Sequence, residues 1–291
     1  MTKWKIAFPY YGGKFSKLSW LLPFIPSTKV FVEPFGGSMA VLLNRDPPSE
    51  IEIYNDIDHD VVNFFRTLRD NNEILLPKIS FTPYSRKEFD ICTSFLECPL
   101  ESKEKQPVEW ARCFFVIVRQ GMFGSQHVKT WARPTFIVRQ GMSQYTSRWL
   151  GGVDRLPEIV ERISSVIMEC GDAIKTIERY DSTETTHYCD LPYPHESRSS
   201  EKIYGEHEVD TDYHIALSES LHNCKGNVAL SSYRSSLYDE LYNDWNRVEG
   251  PLQTLRGTKD STRQEILLTN YDPDLESKKV KSSKKASGVF A

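Results

Sequence analysis

Four clusters of residues have the types and spacing to do chemistry. Asp190-Leu-Pro-Tyr-Pro194 places an acid before a proline-stiffened loop that carries an aromatic ring. Such a loop can hold a planar amine. The carboxylate and the next carbonyl accept the two amino hydrogens, and the ring stacks on the base. Taken alone, an acid before proline is also an ordinary turn. Asp46-Pro-Pro48 is one, since it precedes a strand and has Ser49 in place of the ring. Phe31-Val-Glu-Pro-Phe-Gly-Gly-Ser38 has glycines that admit a ligand close to the backbone at a strand end. It reads equally as a plain strand-to-helix turn. The G-x-G-x-x-G spacing is missing, so a nicotinamide site is not favoured. In Tyr54-Asn-Asp-Ile-Asp58, Asp56 stands 19 residues after Gly37, the distance of an acid that accepts from ribose hydroxyls. Asp58 is assigned to the cap of the following helix. Tyr10-Tyr-Gly-Gly-Lys14 adds a flexible turn and a cation suited to a carboxylate or phosphate.

The surrounding pattern says what must position these groups. Lys29–Glu33 reads as a short buried strand, with a helix starting at Met39–Leu43. Ile51–Tyr54 alternates as a strand, and Asp58–Arg69 is an amphipathic helix through Val61, Val62, Phe64, Phe65 and Leu68. Strand–helix–strand–helix order predicts parallel pairing. Helices are expected over Ser85–Leu96, Val108–Val118 and Asp154–Ile163, around an irregular basic and aromatic segment. Strands Ser165–Glu169, Thr185–Cys189 and Val228–Ser231 then resume, with helices Asp172–Tyr180 and Asp212–His222 between them. Gln264–Thr269 is a late strand, and the Lys- and Ser-rich stretch Glu276–Gly288 is expected to be a disordered tail.

Composition bounds the classes. The chain has 291 residues, 39% hydrophobic and 26% charged, enough for a buried core. It has no apolar run of transmembrane length and no signal-peptide core, so a cytoplasmic protein is expected. Six scattered cysteines without a C-x-x-C pair, and histidines without ligand spacing, argue against a disulfide framework and a zinc site. The net charge of −4 conceals an asymmetry. Residues 1–32 hold five lysines and no acid, and residues 111–150 hold six basic residues and no acid. These segments carry +11, which leaves −15 for the rest. The second segment also contains seven aromatic rings, four glutamines and two copies of Arg-Gln-Gly, at 119–121 and 139–141. Such side chains contact phosphates and base edges.

In this order, from about Pro9 to Tyr271, the motifs resemble the Dam-like DNA adenine-N6 methyltransferases. The resemblance implies an α/β fold: a Rossmann-like S-adenosylmethionine methyltransferase sheet with helices on both faces, interrupted by a mainly helical target-recognition insertion. The implied catalytic domain is 1–75 with 161–272, the DNA-binding insertion is 76–160, and 273–291 is a basic tail. It implies that Tyr10, Lys14, Glu33, Pro34, Phe35, Gly37, Asp56 and Asp172 serve the cofactor S-adenosylmethionine, with no metal. Asp190, Leu191, Pro192 and Tyr193 correspond to the family's D-P-P-Y catalytic loop. Arg119, Gln120, Lys129, Arg133, Arg139, Gln140 and Arg148 are the expected DNA contacts. The expected partner is duplex DNA containing a target adenine, with no membrane, for a protein acting as a monomer or, alternatively, a dimer.

Two departures stand out. Leu191 replaces the first proline of the loop; it retains a carbonyl, Pro192 still restricts it to an extended conformation, and it is expected to loosen the loop. The N-[L/I]-P-Y loop of ribosomal RNA adenine dimethyltransferases resembles this arrangement. Met39 stands where relatives carry glycine or alanine, either narrowing the cofactor pocket or beginning a helix. The implied chemistry is direct transfer of a methyl group from sulfonium to the amino nitrogen of a flipped adenine. The alternatives are an RNA adenine methyltransferase and a catalytically weakened DNA-binding relative.

Overall fold

Short strands buried on both faces fit a sheet covered on both sides. In the computed structural model the described residues are 5–10, 12–122, 130–133, 136–192, 209–254 and 262–276. Their strands are β1 (Val30–Glu33), β2 (Ile51–Asp56), β3 (Val138–Arg139), β4 (Met142–Ser143), β5 (Ile167–Cys170), β6 (Thr185–Cys189), β7 (Asn227–Tyr233), β8 (Asn246–Thr254) and β9 (Thr262–Thr269). Every residue of β6 is buried, as are the last three of β1.

Seven strands form one sheet in the order β5-β2-β1-β6-β7-β9-β8. β1 runs parallel to β2 and to β6, and β6 parallel to β7. β9 pairs antiparallel with β7, and β8 antiparallel with β9. This is the mixed α/β, mainly parallel, Rossmann-like sheet expected. The order reverses between β1 and β6: β2 follows β1 on one side, and β7 follows β6 on the other. Chains leaving the carboxyl ends of these two neighbours diverge, which opens a crevice there.

The helices are α1 (Leu18–Leu21), α2 (Ala40–Leu43), α3 (His59–Asp70), α4 (Asn72–Ser80), α5 (Arg86–Leu96), α6 (Leu100–Glu104), α7 (Pro107–Gln120), α8 (Gln144–Val153), α9 (Leu156–Ile163), α10 (Ala173–Tyr180), α11 (Thr211–His222) and α12 (Ser236–Leu241). Among the described residues no helix is long and apolar enough to cross a membrane. All six cysteines are free.

The elements divide into two units. The first comprises residues 1–15, 37–44 and 56–170. Its core is aromatic. Phe8 meets Phe64 edge-on at 5.3 Å and Phe114 at 5.2 Å, and Phe64 stacks on Phe115 at 5.5 Å. Asp60 accepts hydrogen bonds from Lys103 Nζ and Trp110 Nε1, both at 2.7 Å, tying α3 to α6 and α7. The second comprises 16–36, 45–55 and 171–291. Its core includes Ile177, Leu217, Leu221, Val228, Leu230, Tyr238, Ile266 and Leu268.

Eight described elements were not expected, α1, α4, α6, α8, α12, β3, β4 and β8, and three of them carry residues that hide them. β8 is unannounced because Gly250 and Pro251 interrupt its pattern. The strand lies at the sheet edge, with its register shifted between Glu249 and Leu252, where a residue without an N–H is tolerated. α8 forms within the segment read as irregular, despite Gly151 and Gly152. α4 forms around an internal Pro77. The stretch Glu276–Gly288 lies, apart from its first residue, outside the described residues.

Because Phe64 touches rings from two other segments, Phe8 near the N-terminus and Phe114 and Phe115 of α7, Phe64→Ala leaves a cavity with little means of collapse. Urea unfolding is expected to show a loss of about 3–5 kcal/mol.

Candidate active site

A parallel strand ends with unpaired backbone groups, and at β1 these are organised by Asn55 of β2. The Asn55 side chain is fully buried, and its Nδ2 donates to the Pro34 carbonyl at 2.8 Å and the Gly171 carbonyl at 3.0 Å. Its own carbonyl accepts from Gly36 N at 2.8 Å. Glu33, the last residue of β1, is buried, and Phe35 packs against the core of its unit. The Tyr54 ring lies flat against Gly36, so that a Cβ there would fall within the ring. Asp172 follows Gly171 and caps α10, its Oδ1 accepting from Lys175 N at 3.0 Å. Its Oδ2 accepts from Tyr213 Oη at 3.3 Å, and burial together with Asp172 pushes the Tyr213 phenol well up.

In the other unit, Gly37 has φ of +45° and donates its N–H to Asp56 Oδ2 at 2.7 Å. Asp56 Oδ1 accepts from Asp58 N at 2.9 Å. Asp58 caps α3 by accepting from Asp60 N, the role expected of it. The Tyr10 ring faces Gly37, where a Cβ would sit 3.0 Å from it. Gly13 N closes a turn on the Tyr10 carbonyl at 3.0 Å, and the buried Lys14 donates to the Gly12 carbonyl at 3.1 Å. Met39 stands at the N-cap of α2, the helix start that the sequence offered as one of two readings. It is buried, with φ of +57° and ψ of 28°, at the residue before α2. A left-handed non-glycine residue stores strain, of order 1–3 kcal/mol, at this turn.

At the end of β6, Tyr188 is buried and shares a 2.8 Å hydrogen bond with Ser231. Burial, and then the charge of Asp190, push its phenol far up. Asp190 is half-buried. Leu191 is 2% exposed and belongs to the apolar core with Cys189, Ile177, Leu217 and Leu230. Its side chain therefore fixes the chain just after β6. Pro192 follows, and Tyr193 lies outside the described residues.

Residues 10–254 match the family of D12 class N6 adenine-specific DNA methyltransferases. The chain belongs to this family. It is also similar to the type II methyltransferase M1.LlaDCHI of Lactococcus lactis subsp. cremoris, at 26% identity over 93% of this chain and 94% of that protein. A 62-residue stretch is 36% identical to the DNA N-6-adenine-methyltransferase of Escherichia phage P1. That match covers 21% of this chain and spans only 8% of the phage protein.

The DNA-facing residues expected of a D12 methyltransferase separate in the structure. Arg133, Arg139, Gln140 and Arg148 are exposed. Gln120 is fully buried, donating to the Pro83 carbonyl at 2.9 Å and accepting from Ser85 N at 3.0 Å, so its amide is committed to the interior. Arg119 is largely packed against Gly152. Arg112, counted in the basic segment, is paired with Glu109 at 2.7 Å and Glu88 at 3.0 Å, two acids from outside it. Lys129 lies outside the described residues. The stretch Phe136-Ile137-Val138 is exposed, Phe136 completely so. It enters a hairpin of β3 and β4 whose turn, Gln140-Gly141, has positive φ at both residues. Such turns match the twist of paired strands.

Sequence reasoning missed Tyr213, which offers no motif, and the part played by Asn55. It also missed a cluster away from these loops. Asp181, His187 and Cys224 bring ligand-type atoms within 4.8 Å of one another. Burial alone would raise the Asp181 carboxyl, but N–H groups of Lys225 and Gly226, and His187, hold it below its ordinary range.

Gly36→Ala must displace the Tyr54 ring, and is expected to lower the unfolding free energy by about 1–3 kcal/mol. Gly171→Ala, where a Cβ meets nothing within 4 Å, is expected to change it by no more than about 0.5 kcal/mol in the same denaturant titration.

Proposed function

We propose that the protein transfers a methyl group from S-adenosylmethionine to the exocyclic amino nitrogen of an adenine flipped out of duplex DNA. The observation that carries this reading is the position of Asp190. It leaves β6 beside β1, where the strand order reverses, and the next side chain is anchored in the core.

The acids suit the cofactor's chemistry. Asp56 accepts one backbone N–H on each oxygen, and an ionised carboxylate has further lone pairs for ribose hydroxyls. Asp172 has the same capacity toward an adenine amine, and Glu33 toward the cationic methionine part. When bound, the cofactor supplies an electrophilic methyl group on sulfonium. Tyr10, Lys14, Pro34, Phe35 and Gly37 complete the proposed cofactor surface.

The amino nitrogen of adenine is a poor nucleophile, because its lone pair conjugates with the ring. Asp190 and the Leu191 carbonyl accept its two hydrogens and favour a pyramidal nitrogen. Holding that geometry is worth roughly 7–11 kcal/mol of barrier. Extruding the base costs a few kcal/mol, of which stacking on Tyr193 returns roughly 1–3.

Residues 76–160 are proposed as the target-recognition region, with the β3–β4 hairpin as its DNA-contacting element. Apolar side chains standing free in water are costly unless a partner covers them. Phe136 and Ile137 suit insertion at a base step, and Arg139, Gln140 and Arg133 suit base edges and phosphates.

Asp190→Ala is expected to abolish transfer of labelled methyl groups to duplex DNA while leaving cofactor affinity, measured by calorimetry, within about twofold. Equal turnover would overturn the assignment, and preferential labelling of structured RNA would change the substrate. Phe136→Ser and Arg139→Ala are each expected to weaken binding to duplex DNA. Unchanged Kd and salt dependence in both would remove the hairpin from the DNA surface.

A further inference from the structure

Arg119 ends α7 in an unusual setting. Its guanidinium presses against the Cα of Gly152 in α8, so closely that any side chain at 152 would collide with it. One nitrogen donates to the Arg148 carbonyl. The Phe115 ring lies 5.9 Å from the guanidinium carbon. Nε is buried with no hydrogen-bond partner among the described residues. The charges that act on Arg119 are Arg155 and Arg148, both of its own sign. Burial first, then these two neighbours, lower its pKa to about 10. Residues 111–150 contain no acid that could compensate. Arg155 N donates to the Gly152 carbonyl at 3.3 Å, and Arg148 and Arg155 are exposed, so the cluster reaches solvent through these two residues.

A desolvated guanidinium among like charges is unfavourable until an anion joins it. Three guanidinium groups also match the several oxygens of a phosphate, which arginine grips through paired N–H donors. We propose that Arg119, Arg148 and Arg155 form one oxyanion site that takes a single backbone phosphate of the DNA. The site rests on the DNA-methyltransferase reading, and adds Arg155, which no motif marks. A phosphate contact is blind to sequence, so the cluster sets the register of the duplex and leaves base reading to other side chains.

The test is the salt dependence of duplex binding by fluorescence anisotropy, on the full chain. Arg155→Ala and Arg148→Ala are each expected to weaken binding equally to target and non-target duplexes. Each should reduce the slope of log K against log salt by about 1. The double variant should reduce it by about 1 as well, since one phosphate is held. Arg119→Lys retains the charge without the paired donors, and should weaken binding with the slope kept. Removing a neighbour of like charge should leave the melting temperature of the free protein unchanged or higher. Wild-type binding with unaltered slopes in Arg155→Ala and Arg148→Ala overturns the site and leaves the methyltransferase reading standing. Failure of the wild-type protein to bind any duplex overturns both.

Discussion

A parallel sheet gathers the carboxyl ends of its strands on one side, and each end presents backbone groups that the ladder no longer pairs. Asn55 is where three such ends are joined. From β2, its buried side chain holds the Pro34 carbonyl after β1 and the Gly171 carbonyl after β5. Its main chain receives Gly36 N. Lost hydrogen bonds at such a site cost about 1–3 kcal/mol each when a buried partner is left unsatisfied. Gly36 is one of the groups that Asn55 binds, and Glu33 and Asp172 each adjoin another.

Close approach makes the turn after β1 stiff. Gly36 accommodates the Tyr54 ring, Gly37 adopts a positive φ in front of Tyr10, and Met39 is buried in a left-handed conformation. Asp56 fastens the far side through Gly37 N. Strain of this kind persists only where surrounding packing over-determines it, and it concentrates at binding sites. Leu191 does similar work on β6. Its side chain joins the apolar core and so fixes the chain where it leaves the strand.

Charge follows a parallel logic in residues 111–150. Of their arginines, Arg112 is neutralised by Glu88 and Glu109, while the charged groups that act on Arg119 are cations. Equal residue types in one acid-free run thus meet opposite surroundings: one ties a helix pair together, and the other is buried beside like charges.

Much was legible in the sequence. The strand at Lys29–Glu33 and the amphipathic α3 were readable because a buried strand carries a continuous apolar run, here Val30-Phe31-Val32, and a surface helix repeats every 3.6 residues. Asp58 was readable as a cap because capping is local. The ordered motifs at Lys14, Glu33, Asp56 and Asp190 marked the family that residues 10–254 match. Other features depended on contacts between residues far apart in the chain. Pro251 hid β8, since only pairing with β9 creates the edge bulge that tolerates it. Gln120 and Gln140 hold the same place in two Arg-Gln-Gly repeats, yet one is sealed inside and the other stands in water. The sequence by itself determined periodicity, caps and the order of chemical groups, which depend on neighbours along the chain. Tertiary structure alone decided which polar groups lose water and which partners they then meet, because desolvation is set by what folds over them.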